Sequence, residues 1–163
     1  MGDLMATAII VGSKFGTGVE SARKIAEMIT DAEIFICKKD KMPDLSRFST
    51  VILGGSIYAG RIIGSLKSFV DKNRELIKQK NLGIFICSLE SGEKAMKYIE
   101  SNFGVDLEKS ALSLGIFGGV MNYSKLSFVE KLLISKMIKI PDGYKTYNIE
   151  MIKVFVSDLI SKS

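Results

Sequence analysis

The sequence contains no histidine, only two cysteines, and no long apolar run. Each scarcity removes a class of function. Without histidine there can be no Ser-His-Asp or Cys-His catalytic pair and no imidazole ligand for a metal, so no metal site is expected. Demanding chemistry, if there is any, must then reside on a bound cofactor. Cys37 and Cys87 each end an apolar run, and neither belongs to a CxxC or zinc-type spacing. They read as buried free thiols in a reducing cytoplasm. No apolar stretch reaches the roughly 18 residues that a bilayer span requires. The N-terminus lacks the charged and apolar regions of a secretory signal. A cytoplasmic protein is therefore expected, with residues 1–4 a dispensable extension. Basic runs interleaved with stacking aromatics are also missing, so nucleic acid is not an expected partner.

What is present is the composition of an ordinary soluble domain: 47% hydrophobic and 25% charged over 163 residues. That length suits a single domain, residues 1–163, with a proper core. The net charge of +5 and a sequence pI near 9.1 favour acidic partners or an anionic surface. Strand and helix patterns alternate. Strands are expected at Thr7–Gly12, Ala32–Cys37, Thr50–Gly55, Leu82–Ser88 and within Ser110–Gly118. Helices are expected at Thr17–Thr30, Ser65–Lys78, Gly92–Phe103 with Ser91 as its cap, Lys125–Ile140 and Asn148–Ser161. Pro43–Ser46 forms a brief helical turn. Alternation with right-handed crossovers gives an α/β fold, a doubly wound parallel sheet with helices on both faces. In such sheets ligands bind beyond the carboxyl ends of the strands.

The stretch that organises the chain is Ile9-Ile10-Val11-Gly12-Ser13-Lys14-Phe15-Gly16-Thr17-Gly18. An apolar strand stops, three glycines alternate with hydroxyl residues, and an amphipathic helix begins with Val19, Ala22, Ile25, Ala26 and Ile29 on one face. A helix N-terminus supplies unpaired N–H groups and a positive dipole end, so a phosphate is the natural guest. The loop lacks the Gly-Lys-Ser/Thr of a Walker motif and the spacing of a dinucleotide fingerprint. An ordinary glycine-rich βα turn is the competing reading. At the other strand ends small residues leave room for a flat ligand: Gly54–Gly60, Cys87–Gly92 and Gly118–Tyr123. Tyr58 and Tyr123 are the candidate stacking residues. No acidic cluster stands at the strand ends, which argues against a magnesium-dependent phosphoacceptor.

Ser13-Lys14-Phe15-Gly16 leading into a helix resembles the FMN phosphate loop of the flavodoxin family. The resemblance implies the five-strand order 2-1-3-4-5 and FMN as cofactor. The family usually has threonine where this chain has Gly18, and an aromatic residue at Val11. Val51–Gly60, Phe69-Val70 and Phe117–Tyr123 resemble the menaquinone-dependent protoporphyrinogen dehydrogenase branch of that superfamily. The resemblance implies an oxidoreductase that passes electrons to a quinone. Its cofactor-binding residues would be Ser13, Lys14, Phe15, Gly16, Thr17 and Gly18 at the phosphate. Ser56, Ile57, Tyr58, Ala59, Gly60, Ser88, Leu89, Gly119, Val120, Asn122 and Tyr123 would lie around the ring, with no catalytic side chain. Residues 124–140 are apolar almost all round and carry Lys125, Lys131, Lys136 and Lys139. They read either as a core helix or as a patch for peripheral contact with an anionic membrane or a quinone-bearing redox partner protein. A soluble electron carrier and a binding module that has lost FMN are the alternative functions.

Overall fold

The computed structural model describes residues 6–13, 16–119 and 149–163. In chain order the elements are β1 (Thr7–Gly12), α1 (Thr17–Met28), β2 (Ala32–Ile36), β3 (Thr50–Ser56), α2 (Gly64–Lys78), β4 (Asn81–Cys87), α3 (Gly92–Phe103), α4 (Val105–Ser110), β5 (Ser113–Ile116) and α5 (Ile149–Lys162). A single 3-10 turn, Leu45–Arg47, precedes β3, and Asp44 caps it by accepting from the Ser46 N–H at 3.0 Å. The five strands form one parallel sheet in the order β2-β1-β3-β4-β5. This is the expected doubly wound arrangement.

The sheet is covered on both faces because its central strands are apolar throughout, leaving no side that could face water. Alternate residues of each strand serve opposite cores. Ala8 and Ile10, Val51 and Leu53, and Leu82, Ile84 and Ile86 pack against α2, α3 and α4 through Leu66, Phe69, Ile99 and Leu107. Ile9 and Val11, Ile52, and Phe85 and Cys87 pack against α1 and α5 through Ala22, Ile25, Phe155 and Leu159. The second core holds three mutually packed rings. Phe85 stacks on Phe117 with centroids 5.1 Å apart, and Phe155 meets both edge-on.

Packed protein atoms stand over Gly54 and Gly55, two of the small residues that the sequence suggests as room for a ligand. A Cβ on Gly54 would fall within the Phe85 ring, and one on Gly55 would lie 2.5 Å from the Gly12 carbonyl oxygen. Gly83 faces Phe155 and Gly115 faces Phe117 in the same way, at 2.8 and 2.6 Å. Protein atoms already fill the room these glycines make.

Other differences from expectation are local. Residues 105–110 form α4, which was not expected, and β5, Ser113–Ile116, lies within the expected Ser110–Gly118. The segment is too short to show a helical period, and Gly104 with φ of 93° separates it from α3. The buried face of α5 is Ile152, Phe155, Val156 and Leu159, while Ile149 and Ile160 are exposed. Ser91 holds the N-cap position of α3, yet its hydroxyl makes no capping bond. The expected helix at Lys125–Ile140 lies outside the described residues. Among those described, no helix is long and apolar enough to cross a membrane.

Candidate functional site

All strands are parallel, so β1, β3, β4 and β5 deliver their carboxyl ends to one edge of the sheet. The order β2-β1-β3 places the chain reversal between β1 and β3, and a crevice opens at such a switch point. Ser13 follows β1 directly. Its Oγ accepts hydrogen bonds from the Gly16 and Gly18 N–H groups, both at 3.2 Å. The same hydroxyl lies 3.1 Å from Ser56 Oγ at the end of β3, so the pair bridges the two strands. Gly16 is the N-cap of α1, with φ of 93° and no side-chain capping bond of its own. Ser13 thus caps the helix from upstream, which glycine permits by taking the left-handed backbone conformation. Among the described residues, a Cβ at Gly16 would meet nothing within 4 Å. Two backbone N–H groups and a hydroxyl converge at the positive end of a 12-residue helix. The Gly16 and Gly18 N–H groups are taken up by Ser13 Oγ here, so the fit to a phosphate group rests on the positive helix end and on the Ser13 and Ser56 hydroxyls.

Beneath the loop, Ser21 is fully buried. Its hydroxyl donates to the Thr17 carbonyl oxygen at 2.9 Å and lies 3.3 Å from Cys87 Sγ. Burial pushes the Cys87 thiol up to about 12 and Cys37 to about 11, so both remain protonated and unreactive at neutral pH. Neither thiol takes part in a disulfide.

The β3 end continues into a tight turn. The Tyr58 N–H donates to the Arg61 carbonyl at 2.8 Å, and the Arg61 N–H donates back to Tyr58 at 3.0 Å. Both central residues have positive φ, 49° at Ala59 and 79° at Gly60, the signature of a type I′ turn. Buried Asn102 of α3 grips this turn. Its Oδ1 accepts from the Ile62 N–H at 3.1 Å, and its Nδ2 donates to the Gly60 carbonyl at 2.9 Å. At the β4 end, Ser88 Oγ accepts from the Glu90 N–H at 3.0 Å, closing another turn. Leu89 lies against Gly119 of the β5 end.

A family model described as the flavodoxin domain matches residues 8–148. The chain belongs to the flavodoxin domain family. No curated protein matches it. Solved structures that superpose on this flavodoxin domain include the flavodoxin of Streptococcus pneumonia TIGR4, at 16% identity and a TM-score of 0.58, covering 97% of this chain and 100% of that one. A flavoprotein from Lactobacillus acidophilus NCFM, solved in complex with FMN, gives 17% identity, a TM-score of 0.52, and coverage of 78% and 97%. The rubredoxin oxygen:oxidoreductase of the anaerobe Desulfovibrio gigas gives 15% identity and a TM-score of 0.53. There the match takes in 98% of this chain but spans only 38% of the other. At these identities the likeness is one of fold.

Within the flavodoxin domain, the structure brings Ser13, Gly16, Gly18 and Ser56 together, with Thr17 opening α1. Ser56, expected beside a ring, pairs its hydroxyl with Ser13 at 3.1 Å. Ile57 extends the β3–β4 ladder by donating its N–H to the Cys87 carbonyl at 3.0 Å, and its partly buried side chain packs against the core. Ser88 is committed to its own turn. Tyr58, Ala59 and Gly60 share the type I′ turn, and Leu89 and Gly119 form a third group along the same edge. Lys14, Phe15, Val120, Asn122 and Tyr123 lie outside the described residues. Sequence reasoning missed Asn102. The available signal was a polar residue at helical spacing from Ala95 and Ile99, on the buried face of α3.

Proposed function

We propose that this flavodoxin domain binds FMN non-covalently and works as a redox protein. The observation that carries the reading is the convergence of the Gly16 and Gly18 N–H groups on Ser13 Oγ, at the helix N-terminus beside the β1/β3 switch. Ser13, Lys14, Phe15, Gly16, Thr17 and Gly18 form the phosphate side, joined by Ser56. Tyr58, Ala59, Gly60, Leu89 and Gly119 flank the ring, with Val120, Asn122 and Tyr123 completing it. FMN, when bound, supplies the electron transfer. The chain offers the positive end of α1 and the Ser13 hydroxyl to the phosphate, and its strand-end loops to the ring.

Within this reading we infer an oxidoreductase that takes electrons from a reduced substrate of the protoporphyrinogen kind and delivers them to a quinone. Three features support it. The Gly54–Gly60 segment resembles that branch of the superfamily. The sequence pI is near 9.1, which suits an anionic surface better than it suits docking on basic carrier partners. Residues 124–140 combine apolar residues with lysines, a composition suited to the inner face of a cytoplasmic membrane.

An equilibrium titration with FMN tests the first reading, through quenching of flavin fluorescence at micromolar concentrations. Absence of binding refutes it. Quinone reduction by the loaded protein with a porphyrinogen donor tests the second. Reduction at only the rate of free FMN returns the protein to the role of a soluble electron carrier.

A further inference from the structure

We propose that Asn102, on helix α3, is a positioning residue for the flavin ring, acting through the Tyr58–Arg61 turn. The inference rests on the FMN reading and goes further by assigning a role on the ring side to a residue remote from the strand ends in sequence. Asn102 is 6% exposed, and its side-chain amide is used on both sides. Oδ1 takes the Ile62 N–H at 3.1 Å; Nδ2 gives to the carbonyls of Gly60 at 2.9 Å and Tyr98 at 2.8 Å. The Tyr98 bond anchors the amide to its own helix, and the other two hold the turn. The Tyr98 ring adds a buttress, because a Cβ at Gly60 would lie 3.4 Å from its Cε1.

The turn needs such a hold. A two-residue type I′ connection favours Asn, Asp or Gly at both central positions. Here Ala59 occupies the left-handed region, where an L side chain is strained. The turn is therefore not secured by its own sequence, and a buried amide 40 residues away supplies the missing constraint on Ile62. Strained backbone persists where its surroundings over-determine it, and such places concentrate at ligand clamps. Helix α3 itself starts just after the Ser88–Glu90 turn. One rigid element thus connects the two loops that flank the ring in the proposed site.

The test compares FMN with riboflavin, which carries the same ring without the phosphate. Both are titrated by fluorescence quenching into wild-type protein, Asn102→Ala, Asn102→Asp, Tyr98→Leu and Ser13→Ala, with far-UV circular dichroism and melting temperature recorded for each. The expected result is that Asn102→Ala raises the dissociation constants for FMN and riboflavin by the same factor, about tenfold, and changes the visible circular dichroism of the bound flavin. Tyr98→Leu, at a half-buried position whose ring packs against the core, should raise both constants in the same proportion by a smaller factor. Asn102→Asp, which keeps the acceptor for Ile62 but loses the donor to Gly60, should also raise both constants together, and it provides the decisive comparison if Asn102→Ala does not fold. Ser13→Ala should affect FMN alone. A folded Asn102→Ala protein with both constants and the flavin spectrum unchanged overturns the proposal, as does a change confined to FMN. So does a folded Asn102→Asp protein with unchanged constants when Asn102→Ala is unfolded. Wild-type protein that binds neither flavin overturns the cofactor reading and this proposal together.

Discussion

Ser13→Ala removes the side-chain oxygen on which the Ser13–Gly18 turn closes. Two backbone N–H groups lose their acceptor, and Ser56 loses its partner across the switch point. Replacing a capping hydroxyl by alanine costs about 1 kcal/mol. For a domain of 163 residues that lowers the melting temperature by roughly 2–4 °C. The effect on FMN is a difference between two states. A hydroxyl bonded to a charged phosphate contributes roughly 1.5–3 kcal/mol. The free protein is destabilised too, by about 1 kcal/mol through the lost cap, and this offsets part of the loss. The net weakening is about 0.5–2 kcal/mol, which at 1.4 kcal/mol per decade is a roughly 2- to 30-fold higher dissociation constant. Riboflavin affinity should stay unchanged. Ser21→Ala serves as the control, because its hydroxyl is occupied by Thr17 and Cys87 within the core and faces no ligand. Paired titrations of FMN and riboflavin measure the ratio directly. If Ser13→Ala leaves that ratio at the wild-type value in a folded protein, the phosphate does not sit at this loop and the converging N–H groups are only a cap.

Gly18→Thr restores a hydroxyl that the family pattern usually has, yet FMN titration should show weaker binding. Residue 18 is helical, but a Cβ there would lie 3.0 Å from Ser13 Cβ and 3.4 Å from Ser56 Oγ, pressing on the pair that shapes the loop; tighter binding would refute this. Ala59→Asn should stabilise the protein, since asparagine tolerates the left-handed conformation of a type I′ turn. A gain of about 0.5–1 kcal/mol corresponds to roughly 1–4 °C in a thermal melt, and an unchanged or lower melting temperature would count against strain at that position.

The sheet was legible because each of its layers leaves a local trace. Continuous apolar runs such as Ile9–Val11 and Val51–Leu53 mark strands buried on both faces, and the spacing of Val19, Ala22 and Ile25 marks the helix that covers one of them. The strand–turn–helix junction at Ser13–Gly18 was legible for the same reason, since its parts are close neighbours in sequence. What escaped was whatever depends on long separations. Gly54 and Gly55 look like room for a ligand until Phe85 and the Gly12 carbonyl are placed beside them. Nothing near Ser56 in the sequence announces that its hydroxyl pairs with Ser13 at the end of the neighbouring strand. Asn102 gives no local sign that its amide reaches the turn after β3. Helix α4 was missed because its six residues carry less than two helical turns of pattern.

The rings that lie over Gly83 and Gly115 have a consequence for how this sequence can drift over generations. Gly83 on β4 receives Phe155 of α5, while Gly115 on β5 receives both Phe117 and Phe155. A methyl group gained at residue 83 cannot be accommodated within its own strand; the space must be given up at residue 155. The same holds between 115 and 117. Neither partner is free to change by itself, although 72 positions separate residues 83 and 155. Related sequences should therefore exchange bulk between such positions as matched pairs, small against large, and the register of the last helix on the sheet should be inherited along with those pairs.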